Sequence, residues 1–139
     1  MTKKISVLIL CTSNSARSQM AEGLLRHDGG EAFAVASAGI APSFVRPEAI
    51  EVMRELGIDI ANHRSKSVDE FTTQAFDWVI TVCDNAKQNC PVLPGTARQL
   101  HWSLPDPAAV EGDVKTRLGA FREIRDELRV RLREFMAAA

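Results

Sequence analysis

A single apolar run near the N-terminus limits the possible folds of this chain more than any other feature. The run ISVLIL, residues 5–10, is almost continuously apolar, which is typical of a central parallel strand that is covered on both faces. It leads through the small and polar residues 11–16 into a stretch whose apolar residues recur every three or four positions. A strand, a short loop and an amphipathic helix in this order predict an α/β fold.

The same alternation continues along the rest of the chain. Strands are predicted at residues 5–10, 33–37, 78–82 and 98–102, and helices at residues 18–27, 47–56 and 114–135. A length of 139 residues suits one hydrophobic core. We therefore predict a single domain over residues 1–139, a three-layer structure in which helices cover both faces of a four-stranded parallel sheet. The ligand site of such a sheet lies at the carboxyl ends of its strands.

Charge and cysteine content restrict the function. The 17 Lys and Arg residues are balanced by 18 Asp and Glu residues, and no basic stripe forms a nucleic-acid motif, so we expect no nucleic-acid partner. The apolar run at residues 5–10 is too short to span a membrane and runs into polar residues without a signal cleavage site. We expect no membrane partner and a cytoplasmic location. Three cysteines are an odd number, which argues against a disulfide framework and leaves thiols for redox or catalytic work.

Cys11 stands at the end of the first predicted strand. Cys11 and Arg17 bracket five small or polar residues that suit a loop around an oxyanion, namely Thr12, Ser13, Asn14, Ser15 and Ala16. Successive backbone N–H groups, the following helix N-terminus and the Arg17 guanidinium would bind the anion and favour a thiolate at Cys11. Ser18 would donate its hydroxyl to that thiolate or cap the helix. The alternative is an inert buried cysteine, but the strand, loop and helix context favours a nucleophile.

These motifs resemble a known family. The stretch VLILCTSNSARSQMAEGLL resembles the phosphate-binding loop that low-molecular-weight protein tyrosine phosphatases share with arsenate reductases of the same fold. VITVCDNAKQNCPVLPG and HWSLPDPAAVEGDVKTRLGAFREIRDEL are similar to later segments of the arsenate reductases. One departure is Ser13, where glycine is the commoner family residue. A positive φ at that position would strain a serine.

The other two cysteines lie around a polar segment. Cys83 ends the WVITV strand and Cys90 follows seven residues later, which on an ideal helix separates them by about 10 Å. A disulfide spans a Cα distance of at most about 7 Å, so pairing them requires residues 83–94 to unwind or loop out. Two unrelated thiols, or a metal site with Cys11 and His101, are the alternatives. A metal site is disfavoured because the short paired spacing of zinc ligands is absent, and we expect no metal and no cofactor.

Asp106 and the three histidines complete the candidate residues. Asp106 lies between two prolines in LPDPAAVEG, where a turn is the simplest interpretation, while the resemblance implies that it protonates a leaving oxygen. His27, His63 and His101 show no convincing catalytic partners in the sequence, so surface or packing roles are expected.

The resemblance implies a reaction as well. Cys11 would attack arsenate while Arg17 and the loop amides hold the charge and Asp106 assists loss of an oxygen as water. Cys83 would then attack Cys11 to release arsenite, and Cys90 would attack Cys83. Thioredoxin is the expected reductant, and phosphate or sulfate would compete with arsenate for the loop.

Three other functions remain open at this point. A tyrosine phosphatase is disfavoured by the alanines after Asp106-Pro107, where tyrosine phosphatases of the family carry aromatics, and by the two additional cysteines. A non-catalytic oxyanion or redox sensor is the second alternative, and a phosphocysteine carrier is the third.

Overall fold

A computed structural model describes residues 3–90, Gly95 and residues 98–139. Its strands are β1 (Ile5–Cys11), β2 (Phe33–Gly39), β3 (Trp78–Thr81) and β4 (Arg98–His101), and its α-helices are α1 (Arg17–Gly29), α2 (Pro47–Arg54), α3 (Asp84–Asn89) and α4 (Val114–Ala138). Short 3₁₀ turns lie at Gly30–Ala32, Val68–Phe71 and Pro107–Ala109. Residues 91–94, which belong to the segment predicted to loop out, lie outside the described part.

The sheet is parallel and has the strand order β2-β1-β3-β4. β1 is central, with Cys11 in register with Gly39 of β2 and Leu10 in register with Thr81 of β3. The predicted α/β fold, a four-stranded parallel sheet with helices on both faces, is thereby confirmed. Because β1 and β3 are neighbours and run the same way, Cys11 and Cys83 emerge at the same edge of the sheet.

The core is built on β1 and α1. Residues 7–10 of β1 are completely buried, as the continuous apolar run predicts for a strand with helices on both sides. Met20, Ala21, Leu24 and Leu25 of α1 are likewise completely buried, and α1 packs against α4 and β2. The first strand and helix are therefore held rigidly, and so is the loop of residues 12–16 between them.

The element boundaries differ from the predicted ones by one to three residues. β1 includes Cys11 itself, and β2 continues to Gly39. α4 continues to Ala138 because alanine, which fills its last positions, has the highest helix propensity. α2 ends at Arg54, two residues earlier than predicted and three residues before the left-handed Gly57 (φ 75°). Within the described residues, no helix combines the length and apolar character needed to cross a membrane.

Candidate active site

The loop of residues 12–16 is fastened along its outer side by the segment that follows β2. The backbone N–H groups of Ala41, Ser43 and Arg46 donate to loop carbonyl oxygens of Thr12 (2.8 Å), Ser13 (3.2 Å) and Ser15 (2.9 Å). Gly39 makes this close approach possible, since a Cβ there would lie 2.7 Å from Thr12 O and 2.8 Å from Asn14 N. These three contacts hold the loop through its backbone oxygens and involve none of its side chains.

Cys11 lies beneath this loop and is only 2% exposed. Its sulfur lies 2.8 Å from Ser18 Oγ and accepts the backbone N–H of Asn14 at 3.1 Å. No side-chain cap is formed at the start of α1, where Ala16 is the N-cap residue. Of the two predicted roles for Ser18, the geometry therefore favours hydrogen bonding to the Cys11 sulfur.

Asn14 has a left-handed backbone conformation within the loop. Among the described non-glycine residues it is the one with positive φ, at 49°. Ser13 has no such φ, so the strain considered for serine at that position does not arise. Asparagine tolerates the left-handed region better than most residues, and this was the signal in the sequence that could have identified position 14.

The Asn14 side chain is completely buried and fully hydrogen-bonded. Its Nδ2 donates to Ser18 Oγ at 2.7 Å and to Ser37 Oγ at 2.9 Å. Its Oδ1 accepts from Gln19 Nε2 at 2.9 Å and from the backbone N–H of Lys66 at 3.0 Å. These four bonds hold the conformation that directs the Asn14 N–H at the Cys11 sulfur.

Above the Cys11 sulfur the loop encloses a cavity of about 140 Å³, a volume suited to a small tetrahedral anion. Its lining residues are Cys11, Thr12, Ser13, Ser15, Ala16, Arg17 and Asp106. The sequence also predicts Asn14 and Ser18 as anion-binding residues, but their side chains are buried below the loop. Ser18 Oγ contacts the Cys11 sulfur, and Asn14 Nδ2 donates to Ser18 Oγ.

Arg17 and Asp106 reach the cavity from different elements. Arg17, the first residue of α1, donates from Nη1 to the carbonyl oxygen of Leu104 at 2.9 Å, which ties α1 to the loop before Asp106. Asp106 is exposed and caps the Pro107–Ala109 turn by accepting the N–H of Ala108 at 2.9 Å. The structure therefore brings a thiol, a guanidinium and a carboxyl group to one small cavity.

A buried polar network under the loop was not found from the sequence. Glu22 is 4% exposed, accepts the Ser37 hydroxyl at 2.6 Å and pairs with Arg26 at 3.0 Å. His63 and Lys66 approach the same carboxylate at 3.6 and 3.7 Å. Burial lowers the pKa of both His63 and Lys66, and Glu22 opposes that shift in each case. In the sequence, the charged Glu22 among the apolar positions of α1 was the signal that could have indicated this network.

Cys83 and Cys90 flank α3 in the thiol form. The Cys83 sulfur is 3.3 Å from Thr12 Oγ1 and accepts the N–H of Ala86 at 3.4 Å, so it caps the helix. Cys90 is half-buried, and burial raises the pKa of its thiol. The sequence predicts a polar helical segment between the two thiols, and α3 lies between Cys83 and Cys90.

The three histidines lie outside the cavity lining, and their contacts agree with the surface or packing roles expected from the sequence. His63 is bonded to Gln19 Oε1 at 3.0 Å within the buried network, and His101 contacts Thr81 and Asp84 beside α3. His27 lies half-exposed beside Asp28, as a surface role predicts. Across residues 3–90, 95 and 98–139, no group of three His, Cys, Asp or Glu side chains is arranged to hold a metal ion.

Comparison with known proteins identifies the class to which this fold and site belong. The family model described as low molecular weight phosphotyrosine protein phosphatase matches residues 6–139, and the chain belongs to that family. Within it, the chain is 43% identical over 132 residues to an arsenate reductase of Staphylococcus xylosus, covering 95% of this chain and 96% of the relative.

Solved structures show the same similarity. An arsenate reductase in its oxidized state superposes with a TM-score of 0.82 at 34% identity, covering 96% of this chain and 97% of the other. A thioredoxin-dependent arsenate reductase of Corynebacterium glutamicum gives a TM-score of 0.73 at 31% identity, covering 99% of this chain and 62% of that longer chain.

Proposed function

We propose that this protein reduces arsenate to arsenite, as a detoxification reaction, through a thiol–arsenic adduct on Cys11 and a disulfide relay over Cys11, Cys83 and Cys90. The serial placement of the three thiols is the observation that carries the proposal. Cys11 lies under the anion-sized cavity, Thr12 joins the loop to Cys83, and Cys90 stands at the other end of α3. Its relatives that are named arsenate reductases support the same chemistry.

In the first step Cys11 attacks arsenic as a thiolate. Arg17 and the loop N–H groups hold the anion, because a planar guanidinium offers paired donors to two oxygens. Asp106 donates a proton to an arsenate oxygen, which leaves as water as the sulfur–arsenic bond forms. Ser18 and the Asn14 N–H stabilise the attacking sulfur through the hydrogen bonds described above.

In the second step the electrons move to arsenic. The Cys83 thiolate attacks the Cys11 sulfur, and the electron pair of the sulfur–arsenic bond remains on arsenic, which leaves as arsenite in the +3 state. Cys90 then attacks Cys83, which releases the Cys11 thiolate and leaves a Cys83–Cys90 disulfide. The Cys11 thiolate and the empty cavity are thereby restored, and the disulfide now joins the two cysteines that flank α3.

An external dithiol must reduce the Cys83–Cys90 disulfide, and we propose thioredoxin, since the Corynebacterium glutamicum relative is named as thioredoxin-dependent. Phosphate and sulfate have the same tetrahedral shape and compete for the cavity without accepting electrons. A reductant of this kind works where thiols are kept reduced, which supports a cytoplasmic location.

Hydrolysis of phosphomonoesters is the second candidate function. The cavity with Cys11, Arg17 and Asp106 contains the groups that a phosphocysteine mechanism needs, and the family is described by its phosphatases. Such a mechanism has no use for Cys83 or Cys90. Arsenate reduction uses all three thiols, and for this reason it is the function that we favour.

A paired assay tests the proposal. Arsenite formation driven by thioredoxin, its reductase and NADPH is compared with hydrolysis of an aryl phosphate at equal enzyme concentration. We expect reduction to dominate. Faster aryl phosphate hydrolysis would favour the phosphatase, and tight arsenate binding without turnover would favour an oxyanion sensor.

Two serine variants separate the relay steps. Cys90→Ser is expected to complete one arsenate turnover and stop with Cys11 joined to Cys83, whereas Cys83→Ser stalls at or before the arsenic adduct. Peptide mapping of the trapped species and the single-turnover yield of arsenite report the result. A Cys90→Ser protein that cycles with thioredoxin at the wild-type rate would show that the relay is unnecessary.

A further inference from the structure

The imidazole of His101 connects the end of the sheet with the first residue of α3. His101 is the last residue of β4 and is in register with Thr81, the last residue of β3. Its Nδ1 lies 2.7 Å from the Thr81 hydroxyl, and its Nε2 lies 2.8 Å from Asp84 Oδ1. Ser103 also hydrogen-bonds to the Asp84 carboxylate. The residue directly after Cys83 is therefore held by side chains from β4 and the segment that follows it.

The partners of His101 determine which ring nitrogen carries the proton. A carboxylate only accepts hydrogen bonds, so Nε2 donates to Asp84, and Nδ1 of the neutral ring accepts the Thr81 hydroxyl. A charged ring keeps the bond to Asp84 and adds a favourable charge interaction. The bond from Nε2 to Asp84 is present with the neutral and with the charged ring. Hydrogen bonds from His101, and next from Ser103, lower the pKa of Asp84.

Among the described residues, α3 makes few other side-chain contacts with the rest of the protein. It contains six residues, of which only Ala86 is buried, and an isolated helix of this length is not stable. Thr12 contacts the Cys83 sulfur and accepts a hydrogen bond from Asn85 Nδ2 at 3.1 Å. Within the described part of the chain, the bond between His101 and Asp84 is one of the few side-chain contacts that attach α3 to the sheet, so we expect its loss to weaken the helical form.

We infer that His101 is a positioning residue for the disulfide relay: through Asp84 it holds α3 in the helical form that keeps Cys83 and Cys90 apart. The inference rests on the proposed relay. Pairing these cysteines requires the helix to open, because seven residues of helix span about 10 Å and a disulfide bridges about 7 Å at most. Asp84 is covalently attached to Cys83 and moves with it.

The contact also affects the redox equilibrium. Disulfide formation removes two electrons and two protons from Cys83 and Cys90, and the bond from His101 to Asp84 stabilises the thiol form. An interaction made only by the thiol form raises the midpoint potential of the couple, so that this disulfide is more easily reduced by an external dithiol. His101 thereby favours the final regeneration step and slows premature oxidation.

The test uses His101→Ala, Asp84→Ala and the double variant in a Cys11→Ser background, which removes competing disulfides. Amide exchange over residues 84–89 should accelerate about fivefold in either single variant, as loss of one hydrogen bond predicts. Titration against glutathione redox buffers should show a midpoint potential about 20 mV more negative, since tenfold corresponds to about 30 mV for two electrons. The double variant should change less than the sum of the two single variants, because both substitutions remove the bond from His101 to Asp84, although each also removes one further contact, with Thr81 or with Ser103.

Two controls make the result specific. Gln88→Ala, at an exposed position of the same helix, should leave the potential unchanged, and exchange in β1 reports any global loss of stability. Asp84→Asn keeps an acceptor for Nε2 without the charge and should give a smaller shift.

An unchanged potential in His101→Ala, or additive effects in the double variant, would overturn the role of His101. None of these measurements contains arsenate. Failure of the wild-type protein to form arsenite would instead contradict the proposed function.

Discussion

Thr12 Oγ1 lies 3.3 Å from the Cys83 sulfur, so one hydroxyl of the loop above Cys11 contacts the second thiol of the proposed relay. Asn85 Nδ2 donates to the same oxygen at 3.1 Å, which leaves the hydroxyl hydrogen available to the sulfur. A hydrogen bond to sulfur is stronger when the sulfur is charged, and the thiolate is the form that attacks. In the proposed mechanism, Thr12 therefore links the loop that binds arsenate with the step assigned to Cys83.

Replacing Thr12 with valine tests this link, because valine keeps the branched shape and removes the hydroxyl. We expect arsenite release from the Cys11 adduct to slow about tenfold, the effect of one lost hydrogen bond of roughly 1.4 kcal/mol. Rapid-quench measurement of a single turnover gives the rate. Thr12→Ser restores the hydroxyl and should approach the wild-type rate, and equal rates for valine and wild type would show that the contact is irrelevant to this step.

Arg17→Lys should be severe although it keeps the charge. The guanidinium reaches Leu104 O and lines the cavity at once, whereas an ammonium is a single point donor that cannot reproduce the paired bonds to an oxyanion. We expect kcat/KM for arsenate to fall by about 100-fold, comparable to removal of an oxyanion donor. Steady-state kinetics with thioredoxin in excess measures it. Near-normal kinetics would show that Arg17 does not hold the anion.

Much of the fold was predictable because its signals are local. The apolar residues 5–10 and the periodicity of residues 114–135 identify a central strand and a long helix, and both are present. Strand order was not predictable, since the placement of β1 between β2 and β3 results from packing of distant segments. Strand ends differed by a residue or two because pairing fades gradually, as the bond from Trp102 N to Thr81 O beyond β4 shows.

The candidate site was predictable where one short motif carries it. Cys11 and Arg17 flank a single short loop, and both line the cavity together with Asp106. The support beneath the loop was not predictable, because Glu22 and Lys66 are 44 residues apart along the chain and meet only through the fold. Single polar residues in such positions look like solvent-exposed ones until their burial is known.

Variants of Asn14 test how the buried hydrogen bonds beneath the loop affect stability and Cys11. Asn14→Gly removes the four side-chain hydrogen bonds but tolerates the positive φ, whereas Asn14→Ala removes them and adds left-handed strain. We expect the free energy of unfolding to fall by about 2–3 kcal/mol in the glycine variant, and by roughly 1 kcal/mol more in the alanine variant. Urea denaturation measures both values.

Both variants should also lower the reactivity of the Cys11 thiol. Without its side-chain bonds, the Asn14 N–H is no longer held toward the sulfur, so alkylation of Cys11 by iodoacetamide at neutral pH should slow in both. Wild-type alkylation rates in both variants would show that the network only stabilises the fold.

Glu55 joins the end of α2 to α4 and makes stability depend on pH. It accepts bonds from Arg122 Nη2 at 2.7 Å and from Arg125 Nη1 at 2.8 Å. The Arg122 hydrogen bonds, followed by the contact with Arg125, hold its pKa at about 2, against an ordinary value of 4.5. A carboxyl group with a depressed folded pKa stabilises the protein above its unfolded pKa, and this contribution is lost as the pH falls through the folded value.

Glu55→Gln should therefore be less stable than the wild type at pH 6 and equally stable near pH 2. The side chain is 33% exposed, so solvent screening limits the difference at pH 6 to about 1 kcal/mol. Urea unfolding at pH 6, 4 and 2 should show the gap closing between pH 4.5 and 2, the window between the two pKa values. Glu51→Gln breaks an exposed pair with Arg54 and is the matched control, with little change expected at any pH. A gap for Glu55→Gln that stays constant down to pH 2 would mean that lost packing, and not the charge of the carboxylate, destabilises the variant.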